Sequence, residues 1–358
     1  MNIYFWCCPQ DLEKRTGFDH HIICLAEGFL ELGYNIFGNR DYWRISATSN
    51  TYLVNEVPGI YYGDCDLVIF TTKYLVENSD ELSDDIYRSD RDYKIVCIDG
   101  HDGLITPSYE VCDKVDIVLK CHYNIKFNYP QNYRPWQFGL SNRIIRATSK
   151  VEGQRSANII VNYRVHHAVR KKAMNALYPR LTGYYQIVES INSINDEIRS
   201  FNSEDKLSYL QTGSRHYSDY YQRLCRSLGC FTFGGFLTNR FMVTDHLIIK
   251  VIRRLNYDLE LIMNDRIFQW DSWRLWETLA SGAVAFHVDF ERYGILLPVQ
   301  PICGKHYVGI DFQNLDDFSE LISDTERLYN IGKSGRRWAL ENYSPKAVAN
   351  RLIQMITD

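Results

Sequence analysis

Arg274 and Glu277 stand three residues apart near the start of a short segment with an apolar face, and their types suit a ligand that carries a diphosphate and a ribose. The segment reads Gln269-Trp270-Asp271-Ser272-Trp273-Arg274-Leu275-Trp276-Glu277-Thr278-Leu279-Ala280-Ser281-Gly282. Trp273, Trp276, Leu279 and Ala280 recur at helical spacing, Asp271 or Ser272 can cap the start, and Gly282 supplies a left-handed stop. The apolar run 283–289 that follows fits a buried parallel strand. A helix start that faces a cleft offers unpaired N–H groups and positive potential to a phosphate. Arg274 adds a fork of donors, and Glu277 can accept hydrogen bonds from ribose hydroxyls. The plainer alternative is an Arg274–Glu277 pair on a solvated helix face.

A second set of polar residues lies where strands end. The runs 66–70, 93–98 and 116–120 are short, β-branched and without period-two alternation, as strands buried on both faces are. With the apolar strand 2–8 before them they predict a doubly wound parallel sheet, whose ligands gather beyond the carboxyl ends. Asp99-Gly100-His101-Asp102 follows one such end, although Asp-Gly is also an ordinary turn signal; Lys120, Cys121 and His122 follow another. Nearer the amino terminus, Ile22, Leu25, Ala26 and Phe29 form one helical stripe that Gly33 closes. Asp19 and His21 flank its start, His20 points away, and Thr16 is available as a cap with Asp19 in the first turn.

Both ends of the chain resemble one superfamily. Residues 274–282 are similar to R-x-x-E-A-L-A-A-G in the donor-binding helix of GT-B glycosyltransferases, especially the bacterial group 1 type. Residues 16–34 align without a gap to the first loop and helix of the same enzymes, commonly G-G-x-E-x-H-V-x-x-L-A-x-x-L-x-x-x-G-H, with Thr16 in place of the first glycine. Residues 220–235, ending in Gly234-Gly235, resemble the helix, strand and glycine loop before the donor helix, in a form also found in exostosin-like enzymes. Residues 332–345 resemble the closing segment, and 170–215 match nothing.

The resemblance implies an α/β chain of two doubly wound Rossmann-like domains facing a cleft. Residues 1–145 would form the acceptor side and 146–340 the nucleotide-sugar side, with 141–156 as a linker and 341–358 as a terminal helix packing back on the first domain. It implies sugar transfer from a nucleotide-diphosphate donor, UDP-linked by default, to a carbohydrate or glycoconjugate, with no catalytic metal and no further cofactor. Gly17, Gly235, Ser272, Arg274 and Glu277 would hold the donor, and, since the leaving diphosphate needs its charge neutralised, Arg240 or Arg215 is a further candidate beside Arg274 and the helix start. If the product is inverted, Asp19, His21, Asp99, His101 and Asp102 are the available bases; if configuration is retained, none is obligatory. Many retaining relatives carry Glu-x7-Glu, and Gln269 stands where the first Glu would lie, which leaves a catalytically silent glycan-binding or scaffold protein as the competing reading.

Composition sets the outer bounds. At 358 residues and 45% hydrophobic, the chain is long enough for two domains. A net charge of −4 gives no long-range attraction for nucleic acid, which is not expected as a partner, or for an anionic membrane, although peripheral association stays open. No run of about 18 apolar residues spans a bilayer, and residues 1–9 read as a first strand rather than a leader. Ten scattered cysteines without a Cys-x-x-Cys pair predict reduced, buried thiols and a cytoplasmic protein. Asp64-Cys65-Asp66 has a metal-binding form, but its place before a strand predicts a structural role. The absence of Gly-x-Gly-x-x-Gly after Cys8 argues against a dinucleotide oxidoreductase or epimerase.

Overall fold

The computed structural model describes all residues except 79–80, 104–105, 107–108, 150–154, 164–166, 190–200, 216, 235–268 and 358. Two parallel sheets dominate it. The first has the order β2 (Asn35–Gly38), β1 (Asn2–Phe5), β5 (Leu67–Thr71), β6 (Lys94–Asp99), β7 (Ile117–Lys120) and β8 (Tyr133–Pro135). A short antiparallel pair, β3 (Tyr42–Arg44) and β4 (Tyr52–Val54), lies outside it. The second sheet has the order β10 (Gln186–Glu189), β9 (Ser156–Val161), β11 (Ser227–Phe231), β12 (Val284–Val288) and β13 (Val308–Ile310). Strands β5, β7, β11 and β12 are buried along their whole length, which explains their unbroken apolar runs.

Helix α1 (His20–Glu31) starts at Asp19, whose carboxylate accepts from the amides of His21 and Ile22. Thr16 is therefore not the cap. His20 does not point away from the core as the stripe suggested: it is buried, with Nε2 3.1 Å from the Gly139 carbonyl. Part of the expected linker is helical, over Asn142–Ala147.

The two sheets are joined by shared packing rather than by a hinge alone. One continuous apolar core runs from β1 and α1 through the Trp273–Ser281 helix and the Thr325–Tyr343 helix into β11 and β12. At its centre Trp276 packs on Tyr343 at 4.5 Å and on Trp338 at 6.1 Å. The last helix, Pro345–Thr357, lies against α1 so closely that a Cβ on Gly28 would strike the Pro345 carbonyl. A second apolar cluster covers the far face of the first sheet.

All ten cysteines are free thiols, eight of them buried; Cys225 is half-buried and Cys303 is exposed. Asp66 accepts from the Asn2 amide at the amino end of β5, the edge away from the ligand side of a parallel sheet. Among the described residues no helix is long and apolar enough to cross a membrane.

Candidate active site

The carboxyl ends of both sheets open on a cleft of about 420 Å³. One wall is the start of the Trp273–Ser281 helix. Its buried face and the left-handed Gly282 (φ 75°) fix its direction, and Ser272 is its N-cap without a side-chain cap bond. Ser272 Oγ is buried and meets no partner among the described residues, so the first-turn amides lack the usual side-chain acceptor.

Beside that turn, Arg274 lies over the Tyr163 ring at 5.6 Å, and Arg170 lies over the same ring at 5.0 Å. Arg170 Nε donates to the carbonyls of Phe233 and Gly234 at 3.2 and 3.1 Å. Burial, and then the nearby Arg274 charge, pull Arg170 down to about 10. Two guanidiniums held around one ring form a site that an anion would relieve. Arg215 completes this side, stacked over the Trp273 indole at 4.5 Å.

Glu277, 3% exposed, touches the cleft floor and accepts from Tyr220 Oη at 3.1 Å and Tyr221 Oη at 3.0 Å. Burial, and then the Glu277 charge, push both phenols well above the usual range. A carboxylate has about four acceptor directions, and these two hydroxyls are two of its donors. The plain ion pair with Arg274 on a solvated face is therefore not what forms.

The opposite wall carries Asp102, whose side chain is 55% exposed, and Phe138. Asp102 Oδ1 is 3.5 Å from Nε2 of the fully buried His122, beyond ordinary hydrogen-bond distance, and Nε2 makes no hydrogen bond among the described residues. Burial raises the Asp102 carboxyl, but His122, Gln269 and the neighbouring His101 outweigh it and hold it below the usual value. Asp271 ties the walls together: one carboxylate oxygen accepts from the Phe138 amide at 2.7 Å and the other from Trp276 Nε1 at 2.6 Å. Burial raises Asp271 to about 7.

Of the residues singled out in sequence, Ser272, Arg274, Glu277, Arg215 and Asp102 meet in this cleft. Gly235 and Arg240 lie outside the described residues. Gly17 (φ 82°) sits where a Cβ would strike the Pro9 carbonyl, and its own carbonyl accepts from Tyr42 Oη at 2.9 Å; it shapes the loop before α1. Asp19 is spent as the cap of α1 and is buried. His21 is buried against Gly100 and packs, tilted, on Phe138 at 4.7 Å, with burial lowering its pKa. Asp99 is fully buried, 2.8 Å from Lys120 on the adjacent strand, and accepts from Thr72 Oγ1 and the His101 amide. His101 is exposed beside Asp102.

Arg170, Tyr163 and Tyr220 were not expected as site residues, and His122, noted for its place after a strand end, was not among the candidates for catalysis or donor binding. Position just beyond a strand end was the available signal for His122 and Tyr163, whereas Arg170 begins the unmatched stretch and gave none.

Across known proteins, no family model and no curated sequence matches the chain. Solved structures do. An α-glucosyltransferase in complex with UDP and a 13-mer DNA aligns over 100% of this chain and 99% of its own, at 12% identity and TM-score 0.54. Anabaena HepE with UDP and glucose aligns over 100% and 99% at 11% identity and TM-score 0.48, and a glycosyltransferase from Rickettsia africae over 99% and 97% at 10% and 0.47. The first of these likenesses, with the two facing parallel sheets, shows that the chain has the GT-B glycosyltransferase fold.

Proposed function

We propose that the chain is a glycosyltransferase that moves a sugar from a nucleotide-diphosphate donor, UDP-linked by default, to a hydroxyl of a carbohydrate or glycoconjugate. The observation that carries this reading is the meeting of Arg170, Arg274 and an uncapped helix start within one cleft whose floor is Glu277. In transfer, the bond from the anomeric carbon to the diphosphate breaks and a bond to the acceptor oxygen forms. The two guanidiniums and the helix start neutralise the departing charge, and Glu277 holds the ribose. In the inverting form of the reaction, Asp102 takes the acceptor proton; its lowered pKa keeps it ionised near neutrality.

The α-glucosyltransferase neighbour was solved with DNA. A net charge of −4 gives this chain no field that gathers a polyanion, so a glycan acceptor is favoured.

Incubation with a panel of nucleotide sugars, with glycans or duplex DNA as acceptors, tests the reading. Nucleotide release and glycan modification that survive a chelator are expected. Binding without release supports the silent alternative, and restoration by manganese alone overturns the metal-free chemistry.

A further inference from the structure

We propose that His122 is a positioning residue that couples docking of the 269–272 segment to the direction and charge of Asp102. The inference rests on the glycosyltransferase reading, with Asp102 as the group facing the acceptor.

The imidazole stands between the two walls. Its Nδ1 accepts from the backbone amides of Trp270 at 3.3 Å and Asp271 at 3.1 Å, which belong to the lead-in of the Trp273–Ser281 helix. An Nδ1 that accepts from two N–H groups carries no proton, so the neutral ring holds its proton on Nε2, the atom 3.5 Å from Asp102 Oδ1. The ring is fully buried between Phe138 at 6.1 Å and Trp270 at 6.0 Å, and its backbone is left-handed at φ 54°. A non-glycine residue in that region is uncommon, and here the strain aims the imidazole across the two walls.

The surrounding charges agree. Asp102 is faced by His122 and Gln269, with His101 on its own loop and Arg170 across the cleft. His122 is faced by Asp102, by the Lys120–Asp99 pair at the ends of β6 and β7, and by His21 on α1. Burial, the leading influence, lowers the His122 pKa, so the ring stays neutral and turns its Nε2–H toward Asp102 at 3.5 Å rather than adding a charge to the cleft. The carboxylate of Asp271 is turned to Phe138 and Trp276, so that only its amide meets the ring. A displacement of 269–272 that broke these two bonds would therefore change which ring nitrogen is protonated and what faces Asp102.

Two substitutions separate the two ends of the ring. In His122→Asn the side-chain oxygen falls near the Nδ1 position and keeps the acceptor for the amides, but the donor to Asp102 is lost; Asn also tolerates the left-handed backbone. In His122→Gln the amide nitrogen falls near Nε2 and keeps the donor, while the acceptor is lost. The readout is NMR on the full chain: the Asp102 carboxyl titration, and the nitrogen shifts of His122 in the wild type. A neutral Nε2–H ring is expected in the wild type. The Asp102 midpoint should rise by roughly half a pH unit or more in His122→Asn and stay near the wild-type value in His122→Gln. The acid limb of kcat/KM should follow it in His122→Asn, with nucleotide affinity unchanged. A wild-type Nδ1–H tautomer, or an unmoved Asp102 titration in folded His122→Asn, overturns the proposal. Because the titration needs no turnover, a shifted midpoint in a protein that consumes no nucleotide sugar would leave the coupling standing and remove the transferase reading alone.

Discussion

Glu277 is the residue at which structure and ligand chemistry compete most directly. Its carboxylate satisfies two buried tyrosine hydroxyls, and Tyr221 also accepts from Arg143 at 3.2 Å. Glu277→Ala should therefore do two things: weaken donor binding by about 1.5–3 kcal/mol, the scale of a hydrogen bond to a charged group, and lower the melting temperature by stranding the tyrosines. Calorimetry well below the melting temperature separates the effects, and unchanged nucleotide affinity would remove Glu277 from the site. Asp102→Asn should lower transfer by about 10²-fold or more, if Asp102 is the base, with nucleotide affinity nearly unchanged. Wild-type transfer in that variant would return Asp102 to the role of a turn residue. His21, enclosed by Gly100, Phe138 and Cys121, should act on stability instead, so that any loss of rate in His21→Ala tracks a loss of folded protein.

At the scale of elements, the chain's two ends meet backbone to backbone at Gly28. Gly28→Val should push the Pro345–Thr357 helix off α1 and cost about 1–3 kcal/mol or more, read as a lower melting temperature. An unchanged melting temperature would mean the two helices pack less tightly than described. The central elements were largely legible in the sequence, because β5, β7, β11 and β12 are buried along their whole length and the glycine stops at Gly33 and Gly282 sit where a left-handed residue is needed. What was not legible depends on contacts distant in sequence. Asp19 reads as a candidate base, with the cap left to Thr16, until the amides of His21 and Ile22 are seen on its carboxylate. Asp99 follows the same strand end as Asp102, yet only the facing Lys120 takes it out of the cleft. Arg170 reaches its place through carbonyls at Phe233 and Gly234 that no local pattern announces.

Across the whole molecule, two carboxyls, Asp271 buried and Glu27 half-buried, join parts of the chain that are far apart. Asp271 links the two walls of the cleft, and Glu27 accepts from the Asn142 amide at 2.6 Å; burial, as the main cause, raises each to about 7. The unfolded chain releases these protons near pH 4 and the folded chain only near 7. Their contribution to stability is therefore complete at low pH and is lost as pH rises toward about 7, by up to roughly 1.4 kcal/mol per pH unit for each group. Melting curves from pH 5 to 8 should fall less steeply for Glu27→Gln than for the wild type; equal slopes would show that Glu27 is ionised on folding. The central claim, however, is that the cleft holds a nucleoside diphosphate between Arg170, Arg274 and the helix start, with the ribose on Glu277. Calorimetric titration of the full chain with UDP, uridine and other nucleoside diphosphates measures this without any assumption about acceptor or turnover. The expected result is that one diphosphate binds at least about tenfold more tightly than its nucleoside, and that Arg274→Ala removes this preference, as loss of a charge-assisted contact should. Binding of none of these nucleotides by the folded wild-type chain, or an equal affinity for diphosphate and nucleoside that Arg274→Ala leaves unaltered, would contradict it.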